Sequence, residues 1–175
     1  MSRPATSSAP LSVAHVALRT LRVVNWLYGA AILVLLVAMP TRRWIIDALN
    51  LVPSPETERL IVGLYAIAVI GLVTIPLNDN VLKRLLAIVE SVRGGDPFVP
   101  ANAVRLHAIA WVLLALQVLS LIVGVIVKLV STPEHPLNIA AGFSITGWLA
   151  VLLTFLLARV FAEGTSMRND LEGTV

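Results

Sequence analysis

Four long apolar segments constrain this chain more than any other feature of its sequence. They cover residues 23–39, 60–77, 108–130 and 139–161, and their formal charges are confined to Lys128 and Arg159, near the ends of the last two. At about 1.5 Å of helical rise per residue, such segments suit the roughly 30 Å hydrocarbon core of a bilayer, with the first at the short end. The prediction is an all-α integral membrane protein with four transmembrane helices in an antiparallel bundle.

The composition supports lipid as the solvent of these segments. Of the 175 residues, 58% are hydrophobic and 13% are charged, whereas soluble domains have roughly 45–50% and about 25%. Too few polar side chains remain to coat a soluble core of this size. The lipid bilayer is therefore the expected partner of the apolar surface.

The N-terminal part of the chain allows two interpretations. Residues 1–12 are rich in Ser, Pro and Ala, and we expect a disordered leader ahead of a single membrane domain at 13–175. Because Arg19 and Arg22 precede an apolar run, a signal peptide is the alternative. The n-region is long, and no small-x-small cleavage site follows the run. We therefore favour an uncleaved first helix.

Residues 81–93 have the pattern of an amphipathic helix. Lys83, Arg84, Glu90 and Arg93 share one face, opposite a row of Val, Leu and Ile. The pattern predicts a cytoplasmic amphipathic helix between the second and third transmembrane helices, ending at Gly94. This helix could lie on anionic lipid, dock a helix of another protein, or pack against the ends of the bundle. A separate prediction concerns the cytoplasmic tail at 162–175, which should prolong the fourth helix before Gly173.

The distribution of positive charge predicts the orientation. Nine of the 13 Lys and Arg residues fall in the N-terminal, central and C-terminal segments, namely Arg3, Arg19, Arg22, Lys83, Arg84, Arg93, Arg105, Arg159 and Arg168. The two remaining loops hold the other four, Arg42, Arg43, Arg59 and Lys128. By the positive-inside rule, both termini lie in the cytoplasm.

Small and weakly polar residues mark the expected contacts between helices. The fourth segment has a small residue at every fourth position, and the third has the deepest polar side chain and a short small-residue pair. The candidate packing residues are Gln117, Ser120, Gly124, Gly142, Thr146, Ala150, Thr154 and Ala158. Such small-residue patterns also allow contacts between copies of the chain, so a homo-oligomer is an open alternative.

No pattern in the sequence indicates catalysis. The centres of the spans contain no acidic, basic or histidine side chain, which argues against an ion-coupled pump. His15, His107 and His135 lie in three different segments without ligand spacing, and the absence of cysteine excludes thiolate sites. Positive residues are scattered rather than clustered on a face with aromatic platforms. We expect no enzyme, no metal or other cofactor, and no direct nucleic-acid binding.

Residues 91–111 and 157–175 carry motifs that resemble a known family. Gly95, Pro97 and Phe98 form a G-x-P-F motif, and Arg105 and Leu106 begin an R-L-R-x-I-G-like sequence. The other matching residues are Asn102, Ile109, Phe161, Gly164, Thr174 and Val175. These stretches resemble the bacterial membrane family named domain of unknown function 2975, although Ala101, His107 and Ala110 replace its usual Glu, Arg and Gly.

The resemblance implies a four-helix protein of the bacterial cytoplasmic membrane without an assigned activity. Members are often encoded beside a small helix-turn-helix regulator, which suggests a membrane partner that holds or modulates such a protein. The candidate docking residues are Pro97, Phe98, Asn102, Arg105, Phe161, Gly164, Thr174 and Val175. The alternative is a small transporter or channel subunit with a pathway near Gln117, Ser120 and Thr146.

Overall fold

The computed structural model describes residues 9–38, 54–133 and 136–172, and every regular element within them is an α-helix. The helices are α1 (Ala9–Ala38), α2 (Pro55–Arg93), α3 (Pro100–Val130) and α4 (Ile145–Glu172). The all-α prediction is confirmed for these residues. Residues 1–8 of the expected leader and residues 173–175 of the tail lie outside the described part of the chain.

All four helices are long and apolar enough to cross a membrane. Few of their large apolar side chains are buried inside the protein; Leu60, Ile75 and Ile109 are examples, at 4%, 2% and 3% exposure. Most others, such as Leu27 and Leu129, point outwards. A water-soluble monomer rarely exposes apolar surface on this scale. The helix lengths, the composition and the exposed apolar surface together identify the chain as a multi-pass membrane protein.

Helix α2 is continuous, which differs from the sequence prediction. It begins where Ser54 Oγ accepts a hydrogen bond from the Thr57 N–H, with Pro55 in the first turn, and it ends at Arg93, with Gly94 as the C-cap. Residues 81–93 are thus its last turns rather than a separate amphipathic helix. Asn78 and Asn80 lie within this helix and do not interrupt it. At 39 residues, α2 is about 58 Å long and exceeds the hydrocarbon thickness.

Two other helix boundaries differ from the predicted ones. Helix α1 begins at Ala9, within the expected leader, and α4 begins at Ile145 rather than Ile139. Residues 136–144 are not helical, and Gly142 has a φ of +121°, which favours glycine. Gly142 therefore precedes α4 and does not belong to a ridge on that helix.

The helices pack chiefly in chain order, α1 on α2, α2 on α3 and α3 on α4. Glycines allow the closest approaches. Gly63 lies against Val130 between α2 and α3, and Gly124 lies against the backbone of Gly142. Close approach of this kind stabilises helix association in lipid, where apolar side chains gain little by leaving the hydrocarbon.

Two glycine-to-alanine substitutions test this packing. A Cβ atom at Gly124 would lie 2.6 Å from the Gly142 Cα. We expect Gly124→Ala to lower the free energy of unfolding by about 1–3 kcal/mol, measured by thermal or denaturant unfolding in detergent. At Gly71 the nearest atom is the Ile32 Cδ1, at 3.4 Å. Gly71→Ala is therefore the matched control and should be neutral or stabilising. Equal stability of the two variants would contradict the packing.

Candidate functional site

The connector between α2 and α3, residues 94–99, is held by its own backbone hydrogen bonds. The Gly94 N–H donates to the Glu90 carbonyl and the Gly95 N–H to the Val92 carbonyl, both at 3.0 Å. Gly95 has a φ of +87°, a conformation that a residue with a Cβ rarely adopts. Pro100 begins α3 immediately afterwards. The chain thus reverses direction in a short, well-defined turn.

Asn102 fixes this connector from inside. Its side chain has 0% exposure, and its Nδ2 donates to the Ser91 Oγ at 2.6 Å and to the Pro97 carbonyl at 2.9 Å. Its Oδ1 accepts a hydrogen bond from the Arg105 Nη1 at 2.7 Å. A buried amide needs such partners because an unpaired polar group is costly away from water. Asn102 and Arg105 therefore have a structural role in joining α2, the connector and α3.

Phe98 joins the connector to α4. Its ring centroid lies 5.4 Å from that of Phe161, a distance typical of an attractive aromatic pair. A Cβ on Gly164 would lie 3.3 Å from the Phe98 ring, so glycine leaves room for the aromatic side chain. The Thr165 hydroxyl donates to the Phe161 carbonyl at 2.7 Å and lies 3.4 Å from the Phe98 carbonyl.

An ion pair at the surface also joins the connector to α4. The Arg168 Nη1 lies 2.6 Å from the Asp96 Oδ1, and both side chains are partly exposed, at 47% and 40%. An exposed pair of this kind contributes about 0–1 kcal/mol. Its main effect is to favour one position of the α4 end relative to the connector.

These contacts define the connector site, which consists of residues 94–99 and the side chains that hold them. The side chains outside the connector are Ser91, Asn102, Arg105, Phe161, Thr165 and Arg168. Six predicted docking residues come together here: Pro97, Phe98, Asn102, Arg105, Phe161 and Gly164. The other two, Thr174 and Val175, lie outside the described residues.

Sequence reasoning missed several members of this site. Asp96 and Arg168 are 72 residues apart, and no local pattern pairs them. Ser91 and Thr165 look like ordinary helix residues until their hydroxyl contacts are known. Their positions inside the two family-like stretches were the one signal that could have drawn attention to them.

The predicted packing residues divide into two groups. Gln117 contacts Gly147, and the Ser120 Oγ lies 3.2 Å from both the N and the O of Gly142. Ser120 thereby satisfies polar backbone groups in the non-helical segment 136–144, as a lipid environment demands. On α4, Ala158 is buried and Thr154 is half-buried, whereas Thr146 and Ala150 are exposed. Only part of the expected ridge meets another helix within the described structure.

A second polar cluster lies between α1 and α2. Asp79 is 3% exposed, and its carboxylate lies 2.7 Å from the Arg22 Nε and 2.6 Å from the Lys83 Nζ. His15 and Glu90 pair at 3.5 Å nearer the helix ends. No group of three His, Asp or Glu side chains in residues 9–38, 54–133 and 136–172 could hold a metal ion. Arg22 and Lys83 entered the sequence analysis only as positive charges, and their pairing with Asp79 was missed.

Comparison with known proteins gives one family match. The family model described as a protein of unknown function (DUF2975) matches residues 43–175. The match confirms the resemblance drawn from the sequence motifs and includes the connector site. Helix α1 precedes the matched residues. No curated protein and no solved structure matches the chain.

Replacing Asn102 tests the structural role of the connector site. Asn102→Ala removes three side-chain hydrogen bonds, and we expect the free energy of unfolding to fall by about 2–3 kcal/mol. Asn80 makes a hydrogen bond with Arg84 at 2.6 Å on the half-buried surface of α2, so Asn80→Ala should cost less than about 1 kcal/mol. Thermal unfolding in detergent measures both. If Asn102→Ala were no less stable than the control, the connector would not depend on this amide.

Proposed function

This chain belongs to the family of proteins of unknown function DUF2975, and we propose that it is a non-enzymatic protein of the bacterial cytoplasmic membrane that holds a soluble regulatory protein at its cytoplasmic face. The partner class is the small helix-turn-helix regulator that the family resemblance implies. The proposal rests on the position and construction of the connector site.

The helix contacts support an antiparallel arrangement with both termini on one side. Along α1 and α2, contacts advance in opposite directions, since Arg22 meets Asp79 and Gly29 meets Ile75. Helices α2 and α3 are also antiparallel, since Ser91 contacts Asn102 and Gly63 contacts Val130. The same holds for α3 and α4, where the contacts are Phe98–Phe161 and Gln117–Gly147. In this arrangement the connector lies on the same side of the membrane as both chain termini. Because that side has the excess of Lys and Arg, the positive-inside rule favours a cytoplasmic connector site.

One observation carries the docking proposal: Phe98 is fixed yet still 44% exposed. Its backbone and ring are held by α4, while nearly half of the side chain remains available at the end of the helices. An aromatic side chain on a pre-organised support is a common anchor in protein interfaces, because little conformational entropy is lost on binding. Among the residues that the structure describes, the other predicted docking residues hold the connector or its contact with α4: Pro97, Asn102, Arg105, Phe161 and Gly164.

A transporter or channel subunit is the second candidate, and the non-helical segment 136–144 favours it. This segment lies beside the apolar helix α3, with its Gly142 held by Ser120 and with Gln117 nearby at Gly147. Many secondary transporters bind their substrates beside interrupted helices. The two candidates differ in whether a soluble partner or only further copies of the chain accompany the protein.

The proposed orientation can be tested with single cysteines because the native chain has none. Ser166 and Asn138 are both exposed, on opposite sides of the membrane in our proposal. In intact cells, a membrane-impermeant maleimide should label Asn138→Cys but not Ser166→Cys. After permeabilisation both should be labelled. The reverse pattern would place the connector site outside the cytoplasm and overturn the proposal.

Partner capture tests the docking surface. Tagged full-length protein is recovered from gently solubilised native membranes, and the co-purifying soluble proteins are identified by mass spectrometry. We expect a DNA-binding regulator with the unaltered chain and a loss of about tenfold or more with Phe98→Ser, since interface anchors contribute at least ~2 kcal/mol. Binding is then repeated with the two purified proteins.

Phe143→Ser is the matched control, because Phe143 is 72% exposed at the opposite end of α3 and α4. It should capture the regulator as well as the unaltered chain does, and Phe98→Leu should restore part of the binding. Circular dichroism verifies that each variant keeps its helices. Undiminished capture by Phe98→Ser would exclude this surface, and recovery of only further copies of the chain would favour the transporter candidate.

A further inference from the structure

A cavity of about 600 Å³ opens between α1 and α2, beside the Asp79 cluster. Its lining combines cationic, aromatic and aliphatic side chains: Arg19, Arg22, Val23, Trp26, Leu27 and Leu86. Neither the family description nor the connector site accounts for it. Helix α1, which provides most of the lining, precedes the residues that the family model matches.

The cluster beside the cavity has an excess of positive charge. Asp79 pairs with both Arg22 and Lys83, so one carboxylate is shared by two cations. Arg19 lies one helical turn from Arg22, is exposed, and has no ion-pair partner among the residues that the structure describes. Together the three cations and Asp79 have a net charge of +2, three positive charges less one negative.

The buried carboxylate also orients the cavity wall. Asp79 holds the Arg22 side chain, which is 32% exposed, through an ion pair of 2.7 Å. Arg22 is thus positioned before any ligand binds. A pre-positioned guanidinium suits a phosphate group because its N–H groups can donate to two oxygens of the same anion.

The depth of the cavity matches the level of lipid headgroups. The apolar part of α2 begins at Leu60, just after Arg59, and about 28 Å of helix separates Leu60 from Asp79 at 1.5 Å per residue. That length is close to the thickness of the hydrocarbon core. If Leu60 lies at one boundary, Asp79 and Arg22 lie at the other, where the lipid phosphates are.

We propose that this cavity binds an anionic phospholipid of the leaflet that faces the chain termini. The phosphodiester contacts Arg19 and Arg22, and one acyl chain lies along Val23, Leu27 and Leu86. The positive charge selects an anionic headgroup, such as phosphatidylglycerol, over a zwitterionic one. The aliphatic wall selects a lipid over a free anion. This site is separate from the connector site, so its test does not depend on partner docking.

A bound lipid would secure the position of α1. Helix α1 packs chiefly on α2, and most of its large apolar side chains are exposed, including Val23, Val24 and Leu27 at 60%, 53% and 65%. A headgroup held between the two helices and an acyl chain beside them add contacts that α1 otherwise lacks. The lipid therefore acts as a structural ligand for the α1–α2 pair.

Native mass spectrometry of the full chain in a neutral detergent tests the proposal. The protein is titrated with dioleoyl-phosphatidylglycerol or dioleoyl-phosphatidylcholine, and the fraction with one bound lipid is measured. We expect clear preference for phosphatidylglycerol and about fivefold weaker binding by Arg19→Gln, since a basic residue near the membrane surface contributes about 1 kcal/mol to anionic-lipid binding. Arg19 is chosen because Arg22→Gln would leave buried Asp79 without one of its partners.

Arg159→Gln is the matched control, because Arg159 is an exposed cation on α4 that pairs with Glu163 at 2.9 Å. It should bind phosphatidylglycerol like the unaltered chain, and circular dichroism should show the same helix content for both variants. Equal binding of the two lipids, or unchanged binding by Arg19→Gln, would overturn the proposal. Displacement of the lipid by millimolar inorganic phosphate would identify a soluble anion as the ligand and overturn it as well.

Discussion

Apolar side chains gain little from leaving hydrocarbon, so helices in a bilayer must associate through close backbone approach and polar contacts. This constraint accounts for where the protein places its buried polar residues. Asp79 and Asn102 are 3% and 0% exposed, and each joins elements that otherwise meet mainly through aliphatic surfaces. Gly63 and Gly124 provide the complementary close approaches. These few contacts join α1, α2 and α3 and hold the segment before α4 against α3.

Both polar clusters use the last turns of α2. Asp79 pairs with Arg22 of α1, whereas Ser91 contacts Asn102 at the start of α3. Because α2 is continuous through Asn78 and Asn80, these contacts lie on one rigid element.

The family motif acquires a physical meaning from these contacts. Gly95 provides a positive φ, Asn102 binds the connector, and Gly164 leaves space for the Phe98 ring. Most of the motif residues that the structure describes therefore have a structural role in the turn. Exposed Phe98 remains the exception, which is why our functional proposal concentrates on this side chain. The motif specifies a rigid end of the molecule, on which an interaction surface can be maintained.

The sequence by itself determined the number of apolar spans, the all-α class and the uneven positive charge, and its family motifs marked six residues that the structure brings together at the connector site. Hydropathy and charge are local properties, so they can be read without knowing which segments touch. Tertiary structure decided what local patterns cannot: the pairing of Asp96 with Arg168, the late start of α4, and the continuity of α2. Polar residues such as Asn78 indicate a loop when considered alone. Here packing against α1 and shared ion pairs at Asp79 stabilise the helix instead, because partners distant in sequence supply the contacts.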